Sequence, residues 1–203
     1  MASASDIVRI KITLDGVKPT VMRRIEVPVN VKLDMLHEMI QAIMPWGNYH
    51  GYEFHVRESR WGIPMPEMDD FGYPVADARK ITLARALSEP NFKALRYTYD
   101  FGDDWRHTIK VERRFTAEQW DEFPRLVDAK GCCPPEDIGG PWGYAEYLGA
   151  ISDPHHPRHV EFMEWLGRRD PNEIDRAAIE VALSQFVKRT KAPARRPVLK
   201  SKQ

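Results

Sequence analysis

The 203 residues are 42% hydrophobic and 30% charged, a balance that excludes wholesale disorder and supplies enough chain for one sizeable core. No apolar run approaches the roughly 20 residues needed to cross a bilayer, and the opening MASASD lacks the basic-then-apolar order of a secretory signal. The expectation is therefore a cytoplasmic chain with no membrane partner. The 30 basic and 30 acidic residues cancel, but seven of the basic ones (Lys188, Arg189, Lys191, Arg195, Arg196, Lys200 and Lys202) fall in the last sixteen positions, which contain no acid. The body is thus acidic, and nucleic-acid domains usually carry positive charge on the fold itself.

From the N-terminus, Val8, Ile10, Ile12 and Leu14 alternate as one face of a half-buried strand over 7–14. Asp15-Gly16 turns the chain into a second strand over 21–27, hairpin-paired to the first. Over 32–44 the period changes: Leu33, Leu36, Ile40 and Ile43 mark one face of an amphipathic helix, and Pro45 ends it. Tyr52, Phe54 and Val56 alternate as a third strand. Residues 58–80, with aromatic anchors at Trp61, Phe71 and Tyr73, read as an irregular excursion with room for a short hairpin, followed by a short helix at 82–88.

The clearest pattern is a hairpin. Leu95, Tyr97, Tyr99 and Phe101 share a face, Gly102-Asp103-Asp104 turns, and His107, Ile109 and Val111 share a face on the return. After Pro124 the chain reads as helical. Helices are predicted over 142–151 (Tyr144, Tyr147, Leu148 inward), 157–167 (Val160, Met163, Leu166 inward) and 175–187. The last has Asp175 as N-cap and Ile179, Leu183, Phe186 and Val187 inward. Strands grouped first and helices last predict an α+β fold: a mixed or mainly antiparallel sheet, one helix on a face, and a C-terminal group of helices. The predicted organisation is one domain over 1–190 and a basic, disordered tail over 191–203.

Two loops concentrate the polar signals. YDFGDDWRH gathers Asp100, Asp103, Asp104, Trp105, Arg106 and His107, which suits acid–base work or a cation, although Asp and Gly also simply shape turns. GCCPPEDIGGPWGY, residues 131–144, brings Cys133, Glu136, Asp137, Gly140 and Tyr144, with glycines that let a backbone approach a ligand just before a helix start. It lacks the preceding strand and the Lys-Ser/Thr pair of phosphate loops. Cys132 and Cys133 are adjacent and read as reduced thiols. His155, His156 and His159 lack HExxH-type spacing and read as exposed residues before a helix, so no metal is assigned. His37 reads as packed or surface, while His50 and His55 are unassignable alone. No G-x-S-x-G turn and no G-x-G-x-x-G run occurs, so neither a hydrolytic triad nor a nucleotide cofactor has a foothold, and no cofactor is assigned.

Several of these segments together resemble the plasmid Ri ORF-three-like (pRiA-type) family. The likeness runs through Lys18-Pro19-Thr20-Val21-Met22-Arg23-Arg24, Leu36-His37 with Ile40-Gln41, and His50-Gly51-Tyr52-Glu53-Phe54. It continues through Tyr97-Thr98-Tyr99-Asp100-Phe101-Gly102-Asp103-Asp104-Trp105 with His107, then Cys133-Pro134-Pro135-Glu136-Asp137, Gly139-Gly140-Pro141-Trp142-Gly143-Tyr144 and Asp153-Pro154-His155-His156. The resemblance spans about residues 7 to 187 and implies one α+β domain without an established activity. Some members carry a resolvase-type label, for which this sequence offers no serine-recombinase signature. Met22 stands where the family often has Trp, and Ile138 where it often has a second cysteine.

The expected function is a non-catalytic binding or accessory module with a polar groove between the 100–107 and 131–144 loops, taking a protein or a small polar ligand. Its ligand-binding candidates are Asp100, Asp103, Asp104, Trp105, His107, Cys133, Glu136, Asp137, Gly140 and Tyr144; catalytic residues are unknown. One alternative is a metal-dependent hydrolase with Asp100, Asp103 and Glu136 as oxygen ligands and His107 as ligand or base. The other is a mobile-element accessory that meets nucleic acid through the basic tail.

Overall fold

Alternation along residues 6–14 puts Val8, Ile10, Ile12 and Leu14 on the buried face of β1 (Asp6–Leu14), which pairs antiparallel with β2 (Met22–Pro28). The computed structural model describes residues 6–65, 73–88, 94–118 and 121–190. The remaining elements are α1 (Leu33–Ile43), β3 (Tyr52–Val56), β4 (Ser59–Gly62), β5 (Val75–Asp77), a 3-10 turn (Ala78–Lys80), α2 (Leu83–Ala86), β6 (Ala94–Tyr99) and β7 (Trp105–Thr116). After them come β8 (Arg125–Lys130), α3 (Gly140–Ser152), α4 (His159–Trp165), α5 (Arg176–Ser184) and α6 (Val187–Thr190). The strands form one mixed sheet in the order β5-β4-β3-β6-β7-β1-β2-β8, parallel only at β4–β5. This is the α+β architecture expected from grouped strands and late helices.

Helix α1 buries Leu33, Leu36, Met39, Ile40 and Ile43 in the same core as Ile10, Ile12, Ile25 and Tyr97. In the central hairpin, Leu95 faces Ile109, Tyr97 faces His107 and Tyr99 faces Trp105, all buried. The C-terminal helices close the far end: α5 packs on α1 and β8, and α4 packs on α3. Asp175 caps α5 by accepting from the Ala178 N–H.

Four expectations need correction. Residues 125–130 form β8 on the edge beside β2, not helix; its four central residues are all half-buried between exposed ends, so it shows no alternation to read. Phe101 lies in the turn, exposed, instead of continuing the Leu95–Tyr99 face. In α4 the inward residue is Phe162, while Val160 faces solvent, because the helix begins at His159 and Phe162 stacks edge-on against Tyr147. The 58–80 excursion contains two strands, β4 and β5, that extend the sheet beyond β3. Phe71 and the tail 191–203 lie outside the described residues.

Two buried charges organise the β1–β2–β8 end. Glu26, with no exposed surface, sits in a row across four strands between Arg9 (2.6 Å) and Arg125 (2.6 Å), with Arg113 at 3.6 Å. Burial pushes its carboxyl up, but the guanidinium bonds from Arg125 and Arg9 outweigh that and leave it below the usual range. Arg23, 2% exposed, has no carboxylate partner among the described residues. Its guanidinium donates to the carbonyls of Ile43 (2.9 Å), Met22 (2.9 Å), Lys130 (2.9 Å) and Gly131 (3.0 Å). It therefore ties the C-terminal end of α1, where the helix dipole is negative, to the start of the crossover that follows β8. Burial lowers its pKa, yet an arginine keeps its charge.

An ammonium cannot span these carbonyls as a planar fork does. Arg23→Lys is expected to cost about 3 kcal/mol, the penalty of leaving two or more buried carbonyls unpaired, read as a shift in urea midpoint with an unchanged slope.

Candidate functional site

The 131–139 crossover folds back over the exit of α1 and meets the β6–β7 turn. Trp46, just past α1, donates its indole N–H to the Pro134 carbonyl at 3.0 Å and stacks at 5.1 Å on Tyr99. Glu136 accepts from the Tyr99 hydroxyl (2.6 Å) and from the Gly47 N–H (2.6 Å), and burial with this carboxylate contact pushes the Tyr99 phenol up. Asp103 takes the Gly139 N–H at 3.2 Å. The start of α3, where a glycine-rich loop could have cradled an anion, is thus occupied by the chain's own carboxylate. Gly140 is required at this contact: its φ is +67°, and a β-carbon there would collide with the Asp103 carbonyl.

The two loops meet, but they bring different residues to the surface than the sequence suggested. Trp105, His107, Cys133 and Tyr144 lie in the core beneath the junction. His107 has its Nδ1 on the Trp105 carbonyl at 3.0 Å and its ring 5.1 Å from Tyr97 and 5.5 Å from Trp46. Burial pushes the Cys133 thiol up, which keeps it a neutral packing group. Asp104 pairs with exposed Arg106. Asp103 and Glu136 are engaged as described, so the ligand set Asp100, Asp103, Glu136 and His107 does not assemble around one point. His156 and His159 use ring nitrogens on the Arg158 N–H (3.2 Å) and the Ala150 carbonyl (2.7 Å).

Two of the expected residues do converge, and a third joins them. His50, at the entry to β3, lies with its Nε2 3.1 Å from Asp137 Oδ1 and 3.6 Å from Asp100 Oδ2. These three ligand atoms lie within 4.8 Å of one another, and no other such His/Cys/Asp/Glu group occurs among the described residues. Asp100 and Asp137 both hold left-handed backbone, φ 57° and 59°, which Asp tolerates better than most residues. Asp100 Oδ1 accepts from the Gly102 (2.9 Å) and Asp103 (3.3 Å) N–H groups, and the Asp100 N–H itself binds the Gly51 carbonyl. Sequence reasoning singled out both aspartates but left His50 unassigned. Its only signal was its place in the His50-Gly51-Tyr52 run of the family resemblance.

Beside this cluster runs a cleft of about 440 Å³ walled by Asp34 and Glu38 of α1, the Asn48–Gly51 turn, and Ile63 with Met65. His37 closes its floor. The ring stacks on Tyr52 at 3.5 Å, takes the Tyr97 hydroxyl at Nδ1 (2.7 Å) and reaches Asn48 Oδ1 from Nε2 (2.7 Å). Gln41 also donates to the Tyr97 oxygen at 3.1 Å, so that hydroxyl gives its proton to Nδ1 and His37 donates from Nε2.

The family is visible once this geometry is in view: the chain belongs to the plasmid pRiA4b ORF-3-like proteins, matched over residues 6–180. It is 49% identical over 166 residues to the uncharacterized protein y4hQ of Sinorhizobium fredii, covering 82% of this chain and 84% of that one. Its fold is similar to the crystal structure of MM3350, a protein of unknown function from Methanosarcina mazei, with a TM-score of 0.76 and 31% identity over 85% of this chain and 97% of that one. No described helix is long and apolar enough to cross a membrane.

His37 and His107 are the two buried imidazoles, and burial lowers both from the ordinary 6.5 to about 4. Between those pH values the unfolded chain binds protons that the folded chain refuses. Stability is therefore full above pH 6.5 and falls as the pH drops towards 4. Each ring contributes on the order of 3 kcal/mol to that fall, at 1.36 kcal/mol per unit. Urea unfolding from pH 7.5 to 4.5 is expected to show the loss, and His107→Phe is expected to make the slope roughly half as steep.

Proposed function

We propose that this chain is a non-catalytic binding module, and that its ligand is a small polar molecule seated in the cleft between α1, the Asn48–Gly51 segment, and Ile63 with Met65, next to the junction of the two loops. One observation carries this reading. Buried polar atoms are almost always hydrogen-bonded, yet two atoms of residues lining this cleft, Asp34 Oδ1 and His50 Nε2, are buried and make no hydrogen bond among the described residues. A ligand offering a donor to Asp34 and a polar group to His50 satisfies both, and the Tyr49 and Tyr52 rings give its apolar part a surface. Two groups the sequence suggested for chemistry are withdrawn from solvent: the Cys133 thiol is buried, and His107 is sealed in the core.

Calorimetric titration of the protein, with EDTA present, against the twenty amino acids and short aliphatic amines tests the reading. Binding of at least one of these is expected, weakened tenfold or more by Asp34→Ala, with the melting temperature of the unliganded variant close to that of the parent. Failure of every compound to bind, or binding that Asp34→Ala leaves unchanged, overturns it. So does steady turnover of a bound compound.

A further inference from the structure

We infer that His50, Asp100 and Asp137 form a divalent-cation site beside the cleft, joined to it through His50 and best suited to Zn²⁺. The inference rests on the cleft being a binding site, but it does not depend on which organic ligand enters it.

The first argument is spacing. Zinc binds imidazole nitrogen and carboxylate oxygen at about 2.0–2.2 Å, so neighbouring ligands of a tetrahedral ion stand roughly 3.3 Å apart. The His50 Nε2 distances to Asp137 Oδ1 and Asp100 Oδ2, 3.1 and 3.6 Å, bracket that value.

The second argument is the missing hydrogen bond. At 3.1 Å from a carboxylate oxygen, an imidazole N–H would ordinarily form a bond. His50 Nε2 is buried and nonetheless makes none, because the oxygen lies off the direction a ring proton would take. A lone pair on Nε2 directed to an ion shared with the two carboxylates has no such angular demand on the oxygens.

The third argument comes from Asp100. Its side chain is nine-tenths buried, and its Oδ1 is fully engaged by two backbone N–H groups. The second oxygen, Oδ2, faces His50 Nε2 at 3.6 Å and makes no hydrogen bond among the described residues. With Oδ1 holding the carboxylate in place, Oδ2 is presented to an ion beside His50 without further ordering. Asp137, two-thirds exposed, completes the set from the opposite loop and leaves the solvent side open. Three protein ligands with one open position is the pattern of a zinc ion that also takes a water or an incoming ligand. One imidazole with two carboxylates favours Zn²⁺ or Mn²⁺ over Ca²⁺, which prefers six or more oxygens.

The test uses the full chain without a histidine tag, stripped with EDTA and dialysed against limiting Zn²⁺. Elemental analysis is expected to find one zinc per chain, and calorimetry a single site. Asp137→Asn keeps the left-handed backbone accessible and His50→Gln keeps the side chain polar. Each is expected to weaken zinc binding at least tenfold while the metal-free melting temperature stays within about two degrees of the parent. No stoichiometric zinc, or one zinc retained at full affinity in both variants, overturns the inference; the second result would place the ion elsewhere. An amine or amino acid that binds in EDTA while zinc does not would remove the metal and leave the binding module standing. Zinc binding with no organic ligand would do the reverse.

Discussion

A positive charge with no carboxylate partner among the described residues holds the crossover end of this molecule together. The Arg23 guanidinium lies in the core and is met there by dipoles: the carbonyl closing α1, one from its own strand, and two at the end of β8. The contacts of the crossover with α1 start from that clasp. Because Gly131 is fixed there, the crossover leaves β8 close enough to α1 for Pro134 to meet Trp46 and for Glu136 to reach Tyr99 and Gly47. Those contacts in turn deliver Asp137 to His50. A carboxylate in place of the carbonyls would have neutralised the charge more directly, but it would have tied arginine to one side chain rather than to three backbone segments.

Much of the frame was legible because burial is one-sided where the sheet meets α1. Alternation along β1, β3 and β6 and the three-and-four spacing of α1 are direct imprints of a single buried face. The pattern fails where that condition fails. Residues 125–130 lie on an edge, the middle four equally half-covered, so Leu126 and Val127 gave no period and Pro124 looked like the end of the sheet. In the short helix α4 one buried aromatic, Phe162, decides the register, and a stripe through Val160 was an equally good fit to spacing alone.

The cleft was half legible for a different reason. Asp100 and Asp137 stood out because glycines and prolines around them announced turns, and the structure holds both in left-handed conformations with their carboxylates beside His50. Trp105, His107, Cys133 and Tyr144 announced themselves by chemistry, yet chemistry does not report depth: all four are packed under the junction rather than lining it. His50 had the opposite fate. A solitary imidazole beside a strand carries no local sign of its partners, which come from segments about 50 and 87 positions further along the chain. Only β3–β6 pairing and the crossover bring them together.

That long reach has a consequence for how the protein comes into being. The three groups of the His50–Asp100–Asp137 cluster are spread from residue 50 to residue 137, and the crossover that brings Asp137 in is anchored through Arg23 near the beginning of the chain. During synthesis the sheet up to β7 can pair, bringing Asp100 to His50, while the cluster still lacks Asp137. That carboxylate arrives only when the segment after β8 has left the ribosome and closed over the exit of α1. Completion of the cluster is therefore a late event, and anything held by all three groups would favour the finished chain over its partly folded precursors.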